Sequence, residues 1–222
     1  MSVPPPTFRL GGRRMRTFPD LRIRDAVWDS QRAGRLLDDQ QWADAREAFT
    51  ALRARTAKLG VRSAYLAWGL AVALDNLGEA ELAFEAACEA VKGDPMNPAC
   101  QHSFDVIANR LRAALADPAR TPDDPSTPRL YALLQDAGEA DVPSHLAMAS
   151  HLAHAGKAAE AMALLDAVTL LSPVSRDAWL HKAFLARALG DATLSATCEA
   201  QAAAIASSGV PFAIPAPRGA LC

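Results

Sequence analysis

Strand-like alternation is almost absent from this 222-residue sequence. Without it there is no sheet to carry a nucleotide fingerprint, and neither a P-loop, a GxSxG elbow nor a GxGxxG after a strand occurs. Cysteine is scarce. Cys88, Cys100, Cys198 and Cys222 form no CxxC and no paired spacing, which excludes a disulfide framework and leaves reduced thiols. The first three read as small core fillers and Cys222 as an exposed thiol on a tail with nothing to lower its pKa. Only 13 residues are aromatic and only Lys58, Lys92, Lys157 and Lys182 are lysine. Long apolar runs are missing as well. Tyr65–Leu74 is too short to span a bilayer, and the uncharged run 200–217 is broken by serine, glycine and proline. No apolar h-region follows the N-terminal arginines, so the expectation is a soluble, cytoplasmic protein.

What is plentiful is alanine, within a hydrophobic fraction of 50%. Alanine favours helix and lets helices approach closely while burying little area per residue. Such a core suits thin stacked layers of helices. Charge is unevenly placed. Arg9, Arg13, Arg14, Arg16, Arg22 and Arg24 face only Asp20 in residues 1–24, so a basic arm precedes an acidic body. Pro4, Pro5, Pro6, Gly11 and Gly12 break periodicity there, and helix is expected from Arg24 or Asp25.

The body is punctuated at intervals. Gly156 and Gly190 lie 34 residues apart, and Pro173 follows Gly156 at the offset by which Pro95 follows Gly78. A 34-residue period with a helix–turn–helix in each unit marks a helical repeat array. The clearest unit is 64–97. In it Leu70, Ala71 and Leu74 are expected to face Ala83, Ala87 and Ala90 across a turn at Gly78. The other units are 26–63, 98–141, 142–175 and 176–209. In the first, Trp42, Ala45, Phe49 and Leu52 share a face and Gly60 is the stop. The stretch 98–141 is ten residues too long, with Pro128 opening a helix after the loop ARTPDDPST. It reads as a repeat with an insertion between its helices, or else as a linker between two repeat pairs. In the fourth unit Met148, Ala149 and Leu152 are set against Ala161, Leu165 and Val168. The fifth opens at a Ser175 N-cap. Its second helix carries Ser195 and Glu199 at positions apolar elsewhere, as a terminal unit with one wet face would. Residues 210–222 form a proline-rich tail that cannot continue as helix.

Leu70, Ala71, Leu74, Gly78, Ala83, Ala90 and Pro95, with Leu152, Gly156, Ala161, Leu165 and Pro173, resemble the tetratricopeptide repeat motif. Trp179, Ala183, Gly190 and Ala202 follow it more loosely, as do Ala33, Leu36, Trp42, Ala45, Phe49 and Leu52. Ala87, Lys182 and Glu199 depart from it. The resemblance covers about residues 26–209 and implies an all-α, right-handed α-solenoid of about five TPR-like hairpins, one carrying an inserted loop. It further implies a non-enzymatic scaffold, adaptor or chaperone-like protein that binds a peptide or helix of another protein in a concave groove; separately, the preference for arginine over lysine with abundant alanine, glycine and proline points to a GC-rich bacterial gene. By the family's pattern the groove residues are Tyr65, Trp68, Val72, Asp75 and Asn76, then Leu146 and His154, then Leu180, His181, Phe184 and Arg187. His102, Val106, Asn109, Ser150 and Asp177 hold matching positions. The lysine and asparagine clamp for a terminal carboxylate is missing, Ser30 and Gly34 or Trp68 and Val72 standing there, so an apolar ligand is expected. Each aromatic has an alternative role in packing against the neighbouring unit.

Other chemistry is less well supported. His151 and His154 share a helix face, but His145 lies about 120° around from His151 and HExxH is absent, so no metal and no cofactor are expected. The arm bearing Arg9, Arg13, Arg14 and Arg16 carries the alternative function, contact with nucleic acid or an anionic surface, against the plainer reading of a solvated tail.

Overall fold

A computed structural model of the chain describes residues 21–117 and 119–207, with side chains from residue 25 onward. Those residues form ten α-helices and no strand. In order they are α1 (Leu21–Asp38), α2 (Trp42–Lys58), α3 (Ala64–Asn76), α4 (Ala80–Gly93), α5 (Pro98–Leu115), α6 (Thr127–Asp136), α7 (Val142–His154), α8 (Ala158–Leu171), α9 (Arg176–Ala188) and α10 (Ala192–Ser207). The first begins at Leu21, earlier than Arg24 or Asp25, so Arg22 and Arg24 belong to a helix and not to an arm. The chain divides into two compact units between Ile107 and Ala108, inside α5.

In the first unit α1 packs on α2, α2 on α3, and α3 on α4. Ala67, Leu70, Ala71 and Leu74 of α3 and Ala83, Ala87 and Ala90 of α4 are buried, as the periodicity requires. The large side chain that the pattern places at Ala87 comes one turn earlier instead. Phe84 is buried and stacks on Phe104 of α5, ring centroids 5.5 Å apart. Ala67, Ala90 and Cys100 form a small cluster beside it, closed by Trp68 and Val91. Phe49 is fully buried, and Gly69 is what admits it: a Cβ on Gly69 would overlap the Phe49 ring.

The tight α3–α4 turn is made by a left-handed residue. Gly78 has φ +77°, its N–H donates to Asp75 O, and Glu79 N–H donates to Leu74 O at 3.0 Å, satisfying carbonyls that the helix end leaves open. The α1–α2 turn has the same bonds, Gln40 N–H to Leu37 O and Gln41 N–H to Leu36 O, but Gln40 supplies the positive φ, 58°. A side chain there is strained by about 1 kcal/mol relative to glycine.

In the second unit α7 packs on α8, α8 on α9 and α9 on α10, with α6 against α7. Its core joins Leu146, Ala149 and Leu152 of α7 to Ala161, Leu165 and Val168 of α8 and Ala178 and Leu185 of α9, with Met148 at the edge. Asp141 caps α7, accepting from the Ser144 N–H at 3.0 Å. Ser175 caps α9, accepting from the Ala178 N–H. Lys182, which stands where the repeat motif has leucine, is accommodated by a 2.7 Å ion pair to Asp166 and by lying over the Trp179 ring. Ser195 is buried, contrary to the expected wet face, because α10 packs Ser195, Cys198 and Ala202 inward. Glu199 is exposed and pairs with Arg187.

Two substitutions check this packing by chemical denaturation. Gln40→Gly is expected to raise unfolding free energy by about 0.5–1 kcal/mol, relieving the left-handed strain. Gly69→Ala is expected to lower it by about 1–3 kcal/mol, because Phe49 must leave its rotamer or α2 must shift.

Candidate functional site

The expected groove residues fall on the first helix of each hairpin, and the structure gives them unequal freedom. On α3, Tyr65 and Trp68 lie one turn apart with their rings tilted together, centroids 5.7 Å apart. Both are partly committed to packing. Tyr65 sets its edge against Phe49 and its hydroxyl against the Cα of Gly34 on α1, where a Cβ would collide with it. Burial, and then the nearby Asp38 carboxylate, push the Tyr65 hydroxyl above its ordinary pKa. Trp68 donates its indole N–H to Ser103 Oγ on α5 at 3.0 Å. Val72 and Asp75 are half-buried, and Asn76 is exposed with its amide donating to Val72 O. Farther along, His102 is exposed and Val106 half-buried.

On α7 the outcome differs. Leu146 is buried and so is not an open groove position. It lies beneath the connection between α5 and α6, together with Ala147, Ser150 and Pro143, lining a cleft of about 420 Å³ with Thr121 and Pro122 of that connection. His151 Nδ1 meets Pro122 O at 2.8 Å. A carbonyl only accepts, so that nitrogen carries the proton. His154 is exposed. Asn109 accepts from Arg112, whose guanidinium also pairs with Glu139 at 2.6 Å. The extra length of this connection was legible in the sequence. Its seat on α7 was not, since nothing in helical periodicity fixes where a loop folds.

α9 presents two exposed apolar side chains. Leu180 and Phe184 lie one turn apart, and Phe184 is 73% exposed. His181 Nδ1 is held by Asp177 O at 2.9 Å, and Arg187 by Glu199. The opposite side of the helix, with Ala178, Ala183 and Ala186, is buried.

The remaining chemistry is structural. Cys100 and Cys198 are buried, and burial raises both thiols, which makes them poor nucleophiles. Among the described residues no group of three or more His, Cys, Asp or Glu is placed to hold a metal ion. No described helix is long and apolar enough to cross a membrane. Arg9, Arg13, Arg14 and Arg16, the tail 210–222 and Cys222 lie outside the described residues.

No protein-family model matches the chain, and no curated protein matches it. Among solved structures it is similar to MamA of AMB-1 at 14% identity, covering 87% of this chain and 98% of that one with a TM-score of 0.42. It is similar to residues 41 to the end of MamA from Desulfovibrio magneticus RS-1 at 12% identity, with 83% and 97% coverage and a TM-score of 0.39. YrrB, a TPR protein with an unusual peptide-binding site, is 15% identical over 83% of this chain and 88% of that one, with a TM-score of 0.38. MamA and YrrB are both TPR-repeat proteins.

His145 offers a pH test of the second unit. Its Nδ1 lies 2.8 Å from the Tyr131 hydroxyl, and burial lowers its pKa, only partly opposed by Asp141. A base with a depressed folded pKa binds fewer protons folded than unfolded, so stability falls as pH drops through and below the ordinary histidine value of about 6.5. His145→Gln is expected to flatten the decline in Tm between about pH 7.5 and 5.5, the range that brackets that value. An equal decline in both proteins would place the loss elsewhere.

Proposed function

We propose that the protein is a non-catalytic interaction scaffold that holds an apolar peptide or helix of another protein against the first-helix faces of its hairpins. The observation that carries this reading is the pair Leu180 and Phe184. A phenylalanine three-quarters exposed, one helical turn from a second large apolar side chain, gains nothing from folding on its outer side. On a helix fixed from behind by α8 and α10, such a pair is spaced as anchors for an apolar stripe on a partner. His181 and Arg187 at its margins supply polar rim groups, and their bonds to Asp177 and Glu199 hold them in place.

The α3 face contributes differently under this reading. Tyr65 and Trp68 are large and partly open, but each already packs against a neighbouring helix. They form a rigid wall for a ligand, whereas Phe184 is free to be covered by one. That rigidity favours binding, since little side-chain freedom remains to be lost.

Affinity capture with the full chain, followed by titration of the recovered partner, tests the assignment. Phe184→Ala is expected to weaken binding by about 2 kcal/mol or more while the circular-dichroism spectrum is unchanged. Unaltered affinity in a folded Phe184→Ala protein would remove α9 from the interface and with it the basis of this reading.

A further inference from the structure

The connection between α5 and α6 is a built element. Arg120 organises it: Nε donates to Ala114 O at 2.8 Å, Nη1 donates to Ser126 Oγ at 2.8 Å and pairs with Asp124 Oδ2 at 3.1 Å. Asp124 accepts in turn from the Ser126 N–H and hydroxyl, at 2.8 and 2.7 Å. None of these bonds reaches α7, so the connection holds its shape from its own ends. Resting on α7, it offers the Pro122 carbonyl to His151 Nδ1. The Asp124 carboxyl is held below its usual range by the Ser126 N–H and hydroxyl first, with Arg120 and His151 acting in the same direction. Asp123 is lowered by the Thr121 hydroxyl and its own backbone N–H, and His154 adds to this.

We propose that residues 121–125, Thr-Pro-Asp-Asp-Pro, are an internal stand-in for a ligand, and that the α7 face accepts a turn-forming, acidic, proline-bearing segment of another protein in their place. The seat specifies that chemistry. Thr121 and Pro122 line the cleft with Leu146, Ala147 and Ser150, and the Asp124 N–H donates to Thr121 O at 3.1 Å, so the occupant is a tight turn with an apolar ring at the cleft. Proline suits it because its fixed φ presets the second position of such a turn and it has no N–H to leave unsatisfied against an apolar wall. One backbone carbonyl is taken by His151, and the pull of His151 on Asp124 and of His154 on Asp123 favours carboxylates in the occupant. A second copy's connection is a poorer occupant. Arg120 ties each connection to Ala114 at one end and to Ser126 at the other, and exchange between copies would break those bonds in both. The proposal rests on the scaffold reading and names the ligand chemistry at this one face, distinct from the apolar stripe expected on α9.

The probe is a fluorescein-labelled peptide of residues 119–127, Ala-Arg-Thr-Pro-Asp-Asp-Pro-Ser-Thr, followed by anisotropy against the full chain. Arg120→Ala loosens the connection without altering α7, and is expected to bind the peptide at least tenfold more tightly than the unaltered chain. Adding His151→Ala should remove at least tenfold, and so should changing both peptide aspartates to asparagine. A second variant replaces residues 121–125 by Gly-Gly-Ser-Gly-Gly, keeping loop length, and should bind like Arg120→Ala. It decides the matter if Arg120→Ala loses helical signal. Binding no tighter than the unaltered chain in a folded variant overturns the proposal. So does a concentration-dependent dimer of Arg120→Ala that ignores the peptide, since a second copy would then fill the seat. If the peptide fails while Phe184→Ala still weakens the captured partner, the scaffold reading stands and only the α7 ligand is lost.

Discussion

Alanine at positions 67, 71, 83, 87 and 90 leaves so little side chain between α3 and α4 that the two helices must lie close or leave voids. That close approach is the constraint on which the rest of the structure depends. It forces the turn at Gly78 to be short, and the short turn demands a left-handed residue whose N–H and successor close the helix end. It also transfers the task of filling volume to a few large side chains placed between hairpins. Phe49 enters against Gly69, Phe84 meets Phe104, and Tyr65 reaches Gly34. Phe49, Tyr65, Phe84 and Phe104 thus fill space where neighbouring hairpins meet.

A consequence follows for function. When large residues are spent between hairpins, the outward faces of the first helices are determined by what remains. On α3 Tyr65 and Trp68 double as packing, on α7 Leu146 and Ser150 line a cleft with the chain's own connection, and on α9 Phe184 is bare. Three structurally similar helices therefore present three different surfaces. The difference is produced by neighbours more than by the helices themselves.

Much of the architecture was legible in sequence because its requirements are local. A left-handed turn selects glycine, so Gly78, Gly156 and Gly190 mark the hairpins, and buried helix faces select residues at three- and four-residue spacing. Where the requirement was not local, the pattern misled. Ala87 looked like a weak point, yet Phe84 fills the volume from one turn away. Lys182 looked misplaced until Asp166 and the Trp179 ring were seen beside it. Ser195 looked wet because it is polar, although Cys198 and Ala202 carry it inward on the same face. Leu146 had the right register for a groove, and register says nothing about a loop held elsewhere by Arg120.

The account turns on whether the connection between α5 and α6 occupies the α7 face in solution. The tautomer of His151 reports this directly, through long-range proton–nitrogen correlation spectra of the imidazole rings at a pH where the ring is neutral. With Pro122 O as its partner, His151 is predicted to carry its proton on Nδ1. A His151 ring dominated by the Nε2–H form that a free imidazole prefers would contradict the account, because the nitrogen facing Pro122 would then have no proton to donate.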